Sequence, residues 1–270
     1  MITTKTEKEQ RREVKLSNAL KDAVVIVTGA SSGIGAATAK EFARHGAQVI
    51  LAARRAEELA AQVSTITADG NRALAIPTDI TDEAQVSRLV QQTLEQFGRV
   101  DVLVNNAGIG RVKPFYKQST EYINRILDTN LRGVILATHA VLPGMLEHRH
   151  GAIISVASVA GHIAIDPLYS GTKFGVRGFS LSLCRQLARR GISVSLVSPG
   201  FINTDFNKGS RLLMPGPELV ARTIVDLVLR PRREVIVPRY YRLLAGIANA
   251  LPWLVDLAFM APGKTKGEGG

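Results

Sequence analysis

Tyr169 and Lys173 stand four positions apart in the stretch Tyr169-Ser170-Gly171-Thr172-Lys173. On a helix that spacing puts both side chains on one face, one turn apart. A free phenol holds its proton to a pKa of about 10, too high for efficient proton transfer at neutral pH. A cation one turn away favours the phenolate and is expected to lower that value. Such a pair could give a proton to a carbonyl oxygen or take one from an alcohol. The same spacing also describes an ordinary exposed helix face. The chemistry therefore depends on whether the chain brings a hydride donor and a third polar group to the same place.

A site for a hydride carrier is legible near the start. The apolar run Ala23 to Val27 predicts a strand, Thr28-Gly29-Ala30-Ser31-Ser32-Gly33-Ile34-Gly35 predicts a tight turn, and a helical pattern follows to His45, where Gly46 can close it. Strand, glycine-rich turn and helix in that order are what a dinucleotide pyrophosphate requires. Gly29 permits the turn, Gly33 lets the backbone approach the anion, Gly35 allows helix–strand packing, and the helix N-terminus offers free N–H groups. Ser31 and Ser32 suit either the phosphate or the turn itself. The next strand, Gln48 to Ala53, should end beside the adenosine ribose. It ends in Arg54-Arg55, with no acid to hold a 2′-hydroxyl. Guanidinium groups suit a 2′-phosphate, so the expected cofactor is NADP(H) rather than NAD(H), with Arg54 the main contact and Arg55 beside it.

Strands and helices then alternate: strand Ala73 to Ile76, helix Thr81 to Phe97 stopped by Gly98, strand Val100 to Val104, a long helical pattern from Glu121 past Leu142, strand Ala152 to Val156, the Tyr169 helix to about Arg190, and strand Ser193 to Val197. A helix with Pro217 in its first turn and a strand Val235 to Val237 complete the series. This predicts an α/β chain: one Rossmann-like, doubly wound parallel sheet of about seven strands flanked by helices. Asn130 interrupts an apolar helical neighbourhood, so it either caps an irregularity or has a polar task. Residues 1–21 read as a frayed or weakly helical extension, 22–238 as the catalytic domain and 239–270 as an apolar, basic tail ending in a disordered segment.

With TGASSGIG, NNAG, the helical Asn130, the serine after the fifth strand, YSGTK and SPGFINT in this order, the chain resembles the short-chain dehydrogenase/reductase (SDR) family over about Ala23 to Val237. The resemblance implies hydride transfer between nicotinamide and a carbonyl carbon. It makes Tyr169 the general acid/base, Lys173 the group that lowers its pKa and binds the nicotinamide ribose, and Ser158 the holder of the substrate oxygen. Asn130 would support a water linked to Lys173. Asp79 and Ile80 match adenine contacts, and Asn106, Ala107 and Gly108 the wall behind the adenosine ribose. Pro199 and Gly200 open the last motif, in which Ile202 and Thr204 match positions near the carboxamide and a phosphate. Ser158 precedes Tyr169 by eleven positions, about two fewer than is common in the family, which shortens the loop Gly161 to Leu168. Ser155 is a less attractive alternative because it lies within the strand.

The implied substrate is a small, moderately apolar ketone, aldehyde or alcohol, on the apolar residues Phe201, Phe206, Leu212, Leu213 and Met214 in a predicted mobile lid between Phe201 and Pro215. A homodimer or homotetramer is implied. The net charge of +11 points to anionic partners, but no nucleic-acid motif accompanies it. The single cysteine, Cys184, fits a reducing compartment, and no secretory signal is read at the N-terminus, so a cytoplasmic location is expected. No metal site is expected. The stretch Leu243 to Met260 is largely apolar but broken by Pro252 and Asp256, so it should not span a membrane. It could cover the pocket or an oligomer interface, lie peripherally on an anionic membrane, or pack into the core. Two further classes stay open beside the enzyme: a non-catalytic nucleotide-binding scaffold, and a membrane-surface protein dominated by its tail.

Overall fold

The structure, a computed structural model, describes residues 7–110, 114–204, 214–253 and 256–257. The lid residues Phe206, Leu212 and Leu213 and the terminal segment from Gly263 lie outside them. Seven parallel strands form one sheet in the order β3-β2-β1-β4-β5-β6-β7. They are β1 (Val24–Thr28), β2 (Gln48–Ala53), β3 (Arg72–Pro77), β4 (Val102–Asn105), β5 (Gly151–Val156), β6 (Ile192–Pro199) and β7 (Glu234–Val237). Sequence order reverses between β1 and β4, which opens a crevice at the carboxyl ends of the strands.

Both faces are covered, so β1 is buried at every position rather than alternating. Val25 and Val27 face helices α1 (Glu7–Leu20), α2 (Gly33–Arg44), α3 (Ala56–Ala68) and α8 (Glu218–Leu229). Val24 and Ile26 face α4 (Glu83–Phe97), α6 (Gly133–His148) and α7 (Pro167–Leu187). Local chemistry sets both ends of α4, the second of them as the sequence predicts. Asp82 caps α4 by accepting from the N–H groups of Ala84 and Gln85, and Gly98 ends it in the left-handed region at φ +74°.

Two features differ from the sequence reading. The C-terminal half of α1 is packed on the sheet, because Leu16 and Leu20, one turn apart, are buried in the core beside Phe42. The long helix from Thr120 is also not uniform. Helix α5 (Thr120–Leu127) runs into one π-helical turn, Asp128–Arg132, before α6 continues it. Asn130 sits in that turn.

Candidate active site

The crevice holds a cleft of about 440 Å³ that runs from the glycine turn, across β4 and β5, to the loop after β6. Its shape is set first by the turn. Gly29 and Gly33 have φ of +66° and +56°, conformations that favour glycine. A Cβ at Gly35 would stand 2.2 Å from the Gly29 carbonyl oxygen, so α2 can approach β1 only with glycine there. Ser32 makes no side-chain capping bond to α2, which leaves the first-turn N–H groups available to an anion. Thr204 lies directly across the turn, with its methyl 3.4 Å from where a Gly33 Cβ would be.

Thr28, which sequence reasoning passed over, ties this turn to the next strand. Its hydroxyl donates to the Val104 carbonyl and accepts from the N–H groups of Asn106 and Ala107. The Asn106 amide returns to the carbonyls of Thr28 and Gly29. Its signal was its place as the last strand residue before the glycines.

The end of the cleft beside β2 carries both arginines. Arg55 donates to the hydroxyls of Ser31 at 2.8 Å and Ser32 at 3.1 Å, and pairs with Glu58 at 3.2 Å. Arg54 also lines the cleft and makes no hydrogen bond or ion pair among the described residues. The sequence reading put Arg54 first. Arg55 is drawn over the glycine turn, while Arg54 lines the cleft uncommitted. Asp79 and Ile80 line the same end, and the Asp79 carboxylate also accepts from the Thr81 N–H and hydroxyl.

Ser158, Tyr169 and Lys173 meet at the other end, with Pro199, Gly200 and Ile202 on the wall beside them. Ser158 follows β5 and begins a single 3-10 turn, Val159–Gly161, by accepting from the Ala160 N–H. Its hydroxyl is also hydrogen-bonded to Tyr169. Ser155 is buried within β5 and does not line the cleft. Asp166 caps α7 by accepting from the Tyr169 N–H at 2.7 Å. The shortened loop therefore still delivers Tyr169 to Ser158, at the first turn of a capped helix.

Lys173 is buried, and its ammonium donates to the Val156 carbonyl at 3.1 Å while standing 5.7 Å from the centre of the Tyr169 ring. Burial pushes the Lys173 pKa down to about 8. The Tyr169 phenol moves opposite to the sequence expectation. Burial raises it to about 12, the Ser158 hydrogen bond opposes that rise, and the Asp166 carboxylate adds to it. The desolvation cost of a phenolate in this pocket outweighs what the Ser158 hydrogen bond supplies. At neutral pH the protein alone thus holds a neutral phenol above a charged ammonium.

Asn130 lies behind the cleft wall, wholly buried. Its carbonyl accepts from the Ile109 N–H at 2.8 Å, and its amide donates to the Ile109 carbonyl at 2.9 Å and to the Thr172 hydroxyl at 3.2 Å. It clamps the chain after β4 to the Tyr169 helix. A Cβ at Gly108 would touch both Asn130 Oδ1 and Lys173 Nζ, at 3.4 and 3.5 Å. The irregularity and the polar task are thus the same feature, since the π turn is what aims this side chain.

Behind α7, His162 Nε2 lies 3.0 Å from Glu234 and 3.1 Å from the Ser198 hydroxyl, and Arg177 donates to both Glu234 oxygens. This cluster ties the Ser158–Tyr169 loop to β7 and α7. Nothing in its spacing along the chain announced it. Among the described residues no group of side chains could hold a metal ion.

Comparison with known proteins agrees with this arrangement. The family model described as short chain dehydrogenase matches residues 23–212. The 3-oxoacyl-acyl-carrier-protein reductase of Synechocystis sp. is 38% identical over 242 residues, 85% of this chain and 98% of that protein. Subunit BbsD of a hydroxy(phenyl)methylsuccinyl-CoA dehydrogenase of Thauera aromatica is 40% identical over 187 residues, 68% of this chain and 75% of that one. Among solved structures, a variant of the actinorhodin polyketide ketoreductase determined with NADPH superposes with a TM-score of 0.75 at 29% identity, covering 80% of this chain and 95% of that one.

Proposed function

The chain belongs to the short-chain dehydrogenase family and is an oxidoreductase acting on a carbonyl or alcohol, and from that premise we propose an NADP(H)-dependent reductase of moderately apolar ketones. The observation that carries the proposal is the convergence of Ser158, Tyr169 and Lys173 in the cleft that begins at the glycine turn. The nucleotide fits the residues present. Three glycines whose side chains would strain or clash line or support the turn, uncapped N–H groups stand at α2, and two guanidinium groups stand where the second ribose would lie. When bound, it supplies the hydride.

Each residue then has a task the geometry supports. Ser158 donates to the substrate oxygen and holds the carbonyl beside Tyr169. The neutral Tyr169 phenol gives its proton to that oxygen as negative charge develops there, which favours the reducing direction at neutral pH. Lys173 keeps a positive charge beneath the phenol and is positioned to bind the nicotinamide ribose. Asn130 positions the floor of the cleft through Ile109 and Thr172, and a water between it and Lys173 is part of the proposal. Arg54 and Arg55 select the 2′-phosphate. Because named relatives act on 3-oxoacyl and polyketide groups, acyl-chain ketones are the first substrates to try.

Half-exposed Leu127, Ile135, Leu146 and Phe174 on α5, α6 and α7 support assembly into a homodimer or homotetramer, which sedimentation velocity would read directly. The single Cys184 supports a cytoplasmic setting. The test of the cofactor is titration with NADPH and NADH of wild type, Arg54→Ala and Arg55→Ala. A selective loss of NADPH affinity is expected in the arginine variants, by roughly ten- to a hundredfold for a charged hydrogen bond. Equal binding of the two nucleotides by wild type would overturn the phosphate assignment.

A further inference from the structure

Helix α9 (Tyr240–Ala250) follows β7 and carries two apolar stripes, of which the fold uses one. Tyr241, Ala245 and Ala248 form the docked stripe. The Tyr241 ring lies so close over Gly200 that a Cβ there would stand 2.1 Å from it, and its hydroxyl is hydrogen-bonded to the Phe201 backbone. Gly200 and Phe201 line the cleft, so α9 is seated at its substrate end.

The second stripe is made by Leu243, Leu244, Ile247 and Leu251, which recur at helical spacing about a third of a turn round from the first. All four are exposed, Leu243 at 70%. Trp253 follows at 55% exposed and is the only tryptophan in the chain. Arg239 stands one turn before Leu243 at the edge of the stripe and Arg242 on the far side of the helix; both are exposed and make no ion pair among the described residues. No Asp or Glu occurs between Val235 and Val255, in a chain of net charge +11.

We propose that this outward stripe of α9 seats on an anionic lipid bilayer, with Leu243, Leu244, Ile247 and Leu251 in the acyl boundary, Arg239 at the headgroups and Arg242 adding to the positive field of the helix. The basic flank and the lack of acids give the charge complementarity that selects a negative surface. Eleven residues of helix extend only about 16 Å, too short to cross a bilayer but suited to lying in its plane. Among the described residues no helix is long and apolar enough to span one. Seated this way, the helix holds the substrate end of the cleft, at Gly200 and Phe201, next to the lipid surface, where an apolar ketone partitions. Membrane binding needs no turnover, so it stands or falls separately from the redox reading.

The experiment uses the full chain with vesicles of phosphatidylcholine alone or with about one third phosphatidylglycerol. Co-sedimentation and Trp253 emission are read for wild type, Leu243→Asp/Ile247→Asp and Arg239→Gln/Arg242→Gln, with thermal melting as the check on folding. Wild type is expected to bind the anionic vesicles with a blue shift of Trp253 and to release at high salt. The leucine–isoleucine variant should lose at least about tenfold in affinity and the arginine variant roughly tenfold, both with unchanged melting. Absence of binding to anionic vesicles, or binding that the first variant leaves intact, would overturn the proposal. So would a first variant that breaks an oligomer of the lipid-free wild type, because a second copy would then cover the stripe.

Discussion

Tyr169 shows how far a residue's chemistry depends on its surroundings. Its spacing to Lys173 was legible and so was its helix, but the direction of its pKa was not, because burial is a property of the folded chain. With the phenol raised to about 12 and the ammonium lowered to about 8, the group that changes charge near neutrality is Lys173. Lysine is charged below its pKa, so kcat/KM for ketone reduction should be level below about pH 8 and fall above it, a limb that a pH profile of the free enzyme would show. Tyr169→Phe should retain NADPH affinity and lose roughly a hundred- to ten-thousandfold in turnover, the usual contribution of a general acid. Ser158→Ala should lose turnover while Ser155→Ala, deep in β5, should not. Asn130 was visible in the sequence as an anomaly. What it holds, the backbone of Ile109, was not, since partners twenty-one positions apart across a π turn leave no local pattern.

At the scale of elements, strands and turns were read with little error because each carries its own chemistry: β-branched runs for strands and glycines at positive φ for turns. Helix α1 escaped because its two core leucines, Leu16 and Leu20, stand among charged residues. Leu20→Ala should cost about 2–5 kcal/mol in chemical denaturation, as for other wholly buried leucines, whereas a frayed extension would show no change. The loop from Ser158 to Tyr169 is held by His162 and Arg177 on Glu234, which lowers the Glu234 pKa from 4.5 to about 2 against the opposing effect of burial. A lowered carboxylate stabilises the fold fully above its unfolded value and loses that contribution as pH falls towards the folded one. Stability carried by this cluster is therefore lost between about pH 4.5 and 2, and Glu234→Gln should flatten the acid limb of the denaturation profile over that window.

For the whole molecule, the doubly wound sheet places its crevice where strand order reverses, and nearly every motif recognised along the chain arrives at that one cleft. The order of elements fixes this meeting, which is why the fold and the cleft wall were readable before any coordinates. The C-terminal helix was not, because an apolar stretch reads alike whether it packs, pairs or lies on a membrane, and only the Gly200 slot for Tyr241 shows which stripe the fold has taken. The proposed reaction joins two events in this cleft, hydride delivery to a carbonyl carbon and protonation of its oxygen by Tyr169. The most direct measurement is to supply NADPH deuterated at the reactive C4 position with an acyl-chain ketone and to follow the label in the product. Deuterium is expected on the new carbinol carbon with wild type and almost none with Tyr169→Phe over the same time. An unlabelled alcohol, or full labelling by the phenylalanine variant at the wild-type rate, would contradict it.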